Sequence, residues 1–263
     1  MEFVHKKKWG QHFLHDANIA RKIAAQAGLR PTDTAWEVGP GEGILTRALL
    51  DAAGHVLCFE IDATLLPHLQ AHFAPELQDG RLTIVQQDVL RADWSAHFPA
   101  QPAKLVANLP YQITSPFLFR LAQHAPHFEV AVLMMQREVA LRLRAVPGSK
   151  DYGVLGLKLG YHFEVEYLFT VEPHLFKPPP RVRSAVVRLT PRANKPDVPS
   201  VEQYYRLIEV AFGNRRKMLR RNLRTMLNED QMEALGRRFD LSRRGESLDE
   251  GELVALCHAV AAL

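Results

Sequence analysis

Cysteine is nearly absent: the 263 residues hold two, Cys58 and Cys257. Both sit among apolar neighbours and neither belongs to a metal-ligand spacing, so a disulfide framework and a zinc site are excluded. Free buried thiols in a reducing compartment are the expectation. Long apolar runs are missing too; none approaches the roughly 20 residues of a membrane span. The basic start, residues 1–8, has no apolar core behind it, so secretion is not expected. Internal repeats, low-complexity tracts and the G-x-G-x-x-G dinucleotide fingerprint are all lacking. Acids are missing from one stretch in particular. Residues 212–224 carry Arg215, Arg216, Lys217, Arg220, Arg221 and Arg224 and no Asp or Glu, in a chain whose net charge is only +4. Without those six the rest of the chain stands at 4 − 6 = −2, so the positive excess is local. Such a footprint is that of nucleic-acid binding rather than of a solvated face, which normally mixes signs.

What is present is an alternation of buried strands and helices. The length suggests one large domain with a smaller one. Residues 34–38 read as a strand that enters Gly39-Pro40-Gly41-Glu42-Gly43, and a helix with Ile44, Leu45, Ala48 and Leu49 follows. Strand, glycine loop and helix open a nucleotide-binding βαβ unit, because glycines let a ligand approach the backbone. Residues 55–60 form the next strand and end in Glu60, about 20 residues past the first glycine, where a ribose diol is bound in such units. Residues 82–86 make a third strand closed by Gln87-Asp88-Val89. Asp88 can accept from an adenine amino group or cap the segment that follows. Strands are also expected over 104–107, 130–135, 161–171 and 185–189, with a basic helix over 136–144. Asp16 is a candidate N-cap for a helix carrying Ile19, Ile23 and Ala24.

Asn108-Leu109-Pro110-Tyr111 follows the apolar run Leu105-Val106-Ala107 and so stands at the carboxyl end of a strand, where open α/β sheets bind ligands. Asn and Pro are ordinary turn formers. They also suit the gripping of a planar exocyclic amine: the Asn108 amide oxygen accepts one N–H, a backbone carbonyl near Pro110 accepts the other, and Tyr111 stacks on the ring. Phe176-Lys177-Pro178-Pro179-Pro180-Arg181-Val182-Arg183-Ser184 reads as a stiff extended wall with Phe176 projecting from it. Residues 191–200, with Pro196 and Pro199, mark a domain boundary, and the pattern beyond is helical. There Leu219, Leu223, Met226 and Leu227 form an apolar stripe, with Arg216, Arg220 and Arg224 forming a basic one.

Residues 10–14 (Gly10-Gln11-His12-Phe13-Leu14), 37–43, 108–111, 176–184 and 212–223 resemble, in order, the motifs of the KsgA (RsmA) family, the adenine dimethyltransferases of small-subunit ribosomal RNA. The resemblance covers nearly the whole chain. Leu109 and Gly10-Gln11-His12 set it apart from the related methylases of macrolide resistance. Trp9 replaces a more usual phenylalanine or tyrosine, and Arg183 stands where an acid is common. The resemblance implies a Rossmann-like fold with a seven-stranded, mostly parallel sheet over residues 1–190, and a small all-helical RNA-binding domain over 191–263. It implies S-adenosylmethionine as methyl donor, touched by Gln11, His12, Leu14, Gly39, Gly41, Glu60, Ile61, Asp88, Val89 and Asn108. Asn108, Leu109 and Pro110 would serve catalysis, and Tyr111 and Phe176 would sandwich the target adenine. The implied substrate is two adjacent adenosines in the 3′-terminal hairpin of 16S ribosomal RNA within assembling small subunits, with a further role in subunit biogenesis. A cytoplasmic monomer without metal or membrane partner is expected.

Two rivals remain at this stage. One is a nicotinamide-dependent oxidoreductase on the same βαβ opening, which the missing fingerprint and the Asn108 turn disfavour. The other is an assembly factor that binds RNA without turnover, which the intact 108–111 turn disfavours.

Overall fold

The computed structural model describes residues 12–263. Nine strands occur among them: β1 (Phe13–Leu14), β2 (Thr34–Val38), β3 (His55–Phe59), β4 (Leu82–Val85), β5 (Ala103–Asn108), β6 (Phe128–Gln136), β7 (Phe163–Val171), β8 (Phe176–Lys177) and β9 (Ser184–Pro191). Seven of them form one sheet in the order β4-β3-β2-β5-β6-β9-β7, and β1 pairs with β8 in a small second sheet. The pairs from β4 to β6 are parallel, while β9 runs antiparallel to both β6 and β7. A parallel sheet covered on both faces needs strands that are apolar throughout rather than alternating. Residues 103–107 of β5 and 130–135 of β6 are accordingly buried without interruption. From β2 the chain winds outward in one direction to β3 and β4 and in the other to β5 and β6. The crevice at such a reversal, beyond the carboxyl ends of the strands, is where this architecture takes ligands.

The described chain divides into two compact units. One joins the residues up to Ala140 with Phe163–Pro191, and the other joins Leu141–His162 with Arg192–Leu263. The sequence reading kept residues 1–190 in one piece, and the structure moves Leu141–His162 out of it. The reason is packing. Tyr152, Leu157 and Tyr161 are buried in the same cluster as Tyr204, Leu207, Leu253 and Leu256, and Tyr152 Oη donates to the Leu248 carbonyl at 2.9 Å. Tyr161 therefore lies in the last turn of the helix Val154–His162 instead of opening β7. The expected helix over 136–144 is Arg137–Leu143, with Gln136 still in β6. Asp16 does cap its helix, Ala17–Ala25, by accepting from the amides of Asn18 and Ile19.

The basic helix expected over 215–224 is not continuous. Val201–Phe212 ends at the Gly213 turn, and between there and Arg224 only Leu219–Leu223 is helical. Buried Asn222 holds the turn shut, its Nδ2 donating to the Ala211 carbonyl at 2.8 Å and to the Asn214 carbonyl at 3.3 Å. Met218 bridges Arg244, and the Leu219 and Arg220 amides donate to the Arg243 and Leu241 carbonyls.

Candidate active site

Four neighbouring strands each deliver their last residues to one cleft. It is lined by Val38, Gly39 and Gly41 after β2, by Phe59, Glu60 and Ile61 after β3, by Gln87, Asp88 and Val89 after β4, and by residues 108–113 after β5. His12 and Phe13 close it from the amino-terminal side. Its empty volume is about 990 Å³ counting the open mouth, which suits a ligand of nucleoside-cofactor size.

The glycine loop is shaped by need. Gly39, Gly41 and Gly43 all have φ between +59° and +87°, a region that costs L-residues with a Cβ. At Gly41 an added Cβ would stand 2.7 Å from the Phe13 ring, so the loop and the amino-terminal segment close on each other only because the side chain is missing. Beneath the loop, Glu37 is buried and its Oε2 accepts from Thr46 Oγ1 at 2.7 Å and from Cys58 Sγ at 3.3 Å. Burial pushes its carboxyl up to about 7. The sequence offered Glu37 as part of the motif but no role for it.

Glu60 is 3 % exposed. Its Oε1 accepts from the Asp62 amide at 2.7 Å and its Oε2 more weakly from the Gly41 amide at 3.4 Å. Burial raises its carboxyl above the usual range, and the Asp62 charge adds to this, while the two amides favour the ionised form. Ile61, next in the chain, is an exposed apolar side chain on the cleft wall. Asp88 fills the capping role, its Oδ1 accepting from the Leu90 amide at 2.9 Å, and it also lines the cleft.

In the 108–111 turn the Asn108 Nδ2 donates to the His12 carbonyl at 3.4 Å. That orients the amide and leaves Oδ1 as its acceptor. The Pro110 carbonyl is spoken for, accepting from the Ile113 amide at 3.1 Å and from Thr114 Oγ1 at 3.3 Å. The Leu109 carbonyl accepts nothing among the described residues, so it is the carbonyl beside Pro110 that stays open. The Leu109 amide is itself held by the Met134 carbonyl at 3.0 Å. Tyr111 Oη and Ser184 Oγ share a hydrogen bond of 2.7 Å. The His12 ring lies 5.6 Å from the Tyr111 ring, tilted by 34°, and its Nδ1 donates to the Pro178 carbonyl at 2.7 Å.

Two expected site residues are elsewhere. Phe176 does not project: it is 2 % exposed in β8, paired with Leu14 of β1, and packs into the core of its unit. Leu14 is in that same core and does not line the cleft. Alternation explains both, since in each two-residue strand one side chain must face inward. Gln11 and the 6–8 lysines lie outside the described residues. Conversely, Phe13, Val38, Phe59, Gln87, Gln112 and Ile113 line the cleft without having been singled out. Val38 and Phe59 are the last residues of their strands, a position that was itself the signal.

The fold and the cleft define a Rossmann-like methyltransferase, with glycine loop, strand-end acid and Asn-Leu-Pro-Tyr turn in their places on one sheet. The family model described as ribosomal RNA adenine dimethylase matches residues 2–253. The chain belongs to that family. It is 44 % identical over 254 residues to the ribosomal RNA small subunit methyltransferase A of Laribacter hongkongensis, covering 96 % of this chain and 95 % of the relative. Against the protein of that name from Pseudomonas aeruginosa it is 38 % identical, covering 98 % and 95 %. Among solved structures it resembles a dimethyladenosine transferase from Plasmodium falciparum, with a TM-score of 0.78, 26 % identity and coverage of 93 % and 96 %. It also resembles the 23S rRNA methyltransferase ErmE, with a TM-score of 0.70, 29 % identity and coverage of 95 % and 99 %.

Proposed function

We propose that this enzyme transfers methyl groups from S-adenosylmethionine to the exocyclic nitrogens of two adjacent adenosines in the 3′-terminal hairpin loop of 16S ribosomal RNA, within assembling small subunits of the cytoplasm. The observation that carries the reading is the pair of acceptors left open among the described residues at the end of β5, Asn108 Oδ1 and the Leu109 carbonyl, in one cleft with buried Glu60. A carboxylate with little solvent around it binds two ribose hydroxyls well. Asp88 accepts from the cofactor's adenine amine, Ile61 and Val89 hold its ring by apolar contact, and Gly39 and Gly41 admit its methionine portion to the backbone. When bound, the cofactor supplies an electrophilic sulfonium methyl group.

The target nitrogen is a poor nucleophile because its lone pair is delocalised into the adenine ring. Asn108 Oδ1 and the Leu109 carbonyl accept the N–H groups of the target amine and favour its pyramidal form, stabilising the positive charge that grows on nitrogen during transfer. The methylated nitrogen then loses one proton to solvent, and the single N–H that remains is accepted in the same way for the second transfer. Tyr111 stacks on the extruded base, and the fixed turn holds it in line, so positioning supplies much of the rate. Unstacking the base costs a few kcal/mol, which stacking on Tyr111 offsets. The Arg216, Lys217, Arg220 and Arg221 side chains of the second unit, all exposed and without acidic partners among the described residues, supply phosphate contacts. Arg215 and Arg224 already pair with Glu246 and Glu229. A-form RNA hides its base edges, so such a protein reads folded RNA by shape and backbone. The protein works as a monomer, and its contribution to subunit assembly follows from engaging that RNA.

The test is transfer of labelled methyl groups to undermethylated small subunits, naked 16S RNA and the isolated hairpin. We expect the subunit to be the best substrate, with both adenosines dimethylated, and Asn108→Ala to lower turnover about 10²-fold or more. Equal efficiency on the hairpin would remove the extended recognition surface. Near wild-type turnover by Asn108→Ala would remove the acceptor pair.

A further inference from the structure

We propose that the segment from Lys177 to Arg183, together with Arg137, forms a phosphate-binding lip at the mouth of the target-base cleft. The inference rests on the RNA reading above and adds a contact in the catalytic unit itself. Two hydrogen bonds fix where the segment runs. At one end the Pro178 carbonyl accepts from His12 Nδ1 at 2.7 Å, and at the other Ser184 Oγ bonds Tyr111 Oη at 2.7 Å. Both partners line the cleft, so the residues between are its rim. Arg137 joins them from the end of β6, its amide donating to the Arg183 carbonyl at 2.9 Å.

The side chains of this rim are one-sided in charge. Lys177, Arg181, Arg183 and Arg137 are all exposed. Glu172 pairs with Arg183 Nε at 3.1 Å. Lys177, Arg181 and Arg137 have no ionic or hydrogen-bonding side-chain partner among the described residues. Cations on one rim without partners among the described residues repel each other, and an anion bound there removes that penalty. Val182, 46 % exposed between two arginines, gives the rim one apolar contact, suited to a sugar or base face beside the phosphate. Consecutive prolines 178–180 make the segment stiff, so little entropy is lost when RNA docks. The ligand this combination fits is the sugar-phosphate backbone immediately flanking the flipped adenosine.

The lip is tested with Arg137→Gln/Arg181→Gln and with Arg137→Lys/Arg181→Lys, read on undermethylated subunits and on a short hairpin carrying the target loop. The glutamine pair should raise the KM for RNA about tenfold, leave kcat and cofactor affinity unchanged, and flatten log KM against log salt by roughly 1–1.5, the value for two single-strand phosphate contacts. The lysine pair should retain most of the affinity. Because the lip stands at the cleft mouth, the effect must appear on the hairpin as well as on the subunit. Unchanged KM and slope on both, while wild type methylates normally, would overturn the lip and leave the RNA reading intact. A change on the subunit alone would also overturn it, because the contact would then lie away from the target loop. Failure of the wild-type protein to methylate any of these RNAs would sink the RNA reading, and the lip with it.

Discussion

At the scale of single residues, burial sets the chemistry more than residue type does. Glu60 and Asp88 are both strand-end acids, yet Glu60 is almost fully buried where Asp88 is half-buried, and burial raises the Glu60 carboxyl. The sign has a consequence. Ribose hydroxyls donate to the ionised carboxylate, so cofactor affinity should be full at alkaline pH. It should fall as pH drops through the raised pKa of Glu60, beginning at a higher pH than an ordinary carboxylate would give. Isothermal calorimetry with S-adenosylmethionine over a descending pH series checks this. Glu60→Gln should bind more weakly at high pH and lose that dependence. A wild-type affinity flat through the acid range, or an unchanged affinity in the variant, would remove Glu60 from the ribose. Glu37 shows the same physics: it is buried, and burial pushes its carboxyl up to about 7.

At the scale of elements, short turns matter more than long helices. Residues 215–224 suggest one helix because leucines and arginines recur there at helical spacing. The actual element is a turn and a short helix, clasped by Met218–Arg220 against residues 241–244. Asn222 is the fastener, and its Nδ2 bonds to two turn carbonyls. Asn222→Ala leaves a buried Ala211 carbonyl unpaired. It also removes an Oδ1 that itself lacks a partner among the described residues. The two effects oppose, so we expect a destabilisation of about 1 kcal/mol, toward the low end of the cost of an orphaned buried group. Urea unfolding measures it. A variant as stable as wild type would show that the turn is held by its backbone hydrogen bonds alone.

At the scale of the whole molecule, the charge that the chain concentrates in 212–224 belongs to a different compact unit from the cleft. Neutralising Arg216, Arg220 and Arg221 to glutamine should weaken RNA binding and lower the slope of log affinity against log salt by up to about 3, one for each phosphate no longer neutralised. Methyl-donor affinity should stay as it was. Binding titrations at several salt concentrations decide the matter, and an unchanged slope would mean that these arginines meet water in the complex too.

The sequence determined the parallel sheet, the glycine loop, the acid at the end of β3 and the Asn-Leu-Pro-Tyr turn. Each of these is a local pattern: an apolar run, a backbone that only glycine relaxes into, a residue at a strand end. Three things were left to the tertiary structure. Leu14 and Phe176 went into the core because the pairing of β1 with β8 fixes which side chain of each faces inward. The carbonyl left open in the turn is that of Leu109, because Ile113 and Thr114, arriving from the next turn, take that of Pro110. Residues 141–162 joined the second unit because Tyr152 and Tyr161 found their burial beside Tyr204, more than 40 positions away. Local spacing cannot carry such information: which face is buried, which carbonyl stays free and which core a segment joins depend on partners that are near only once the chain has folded.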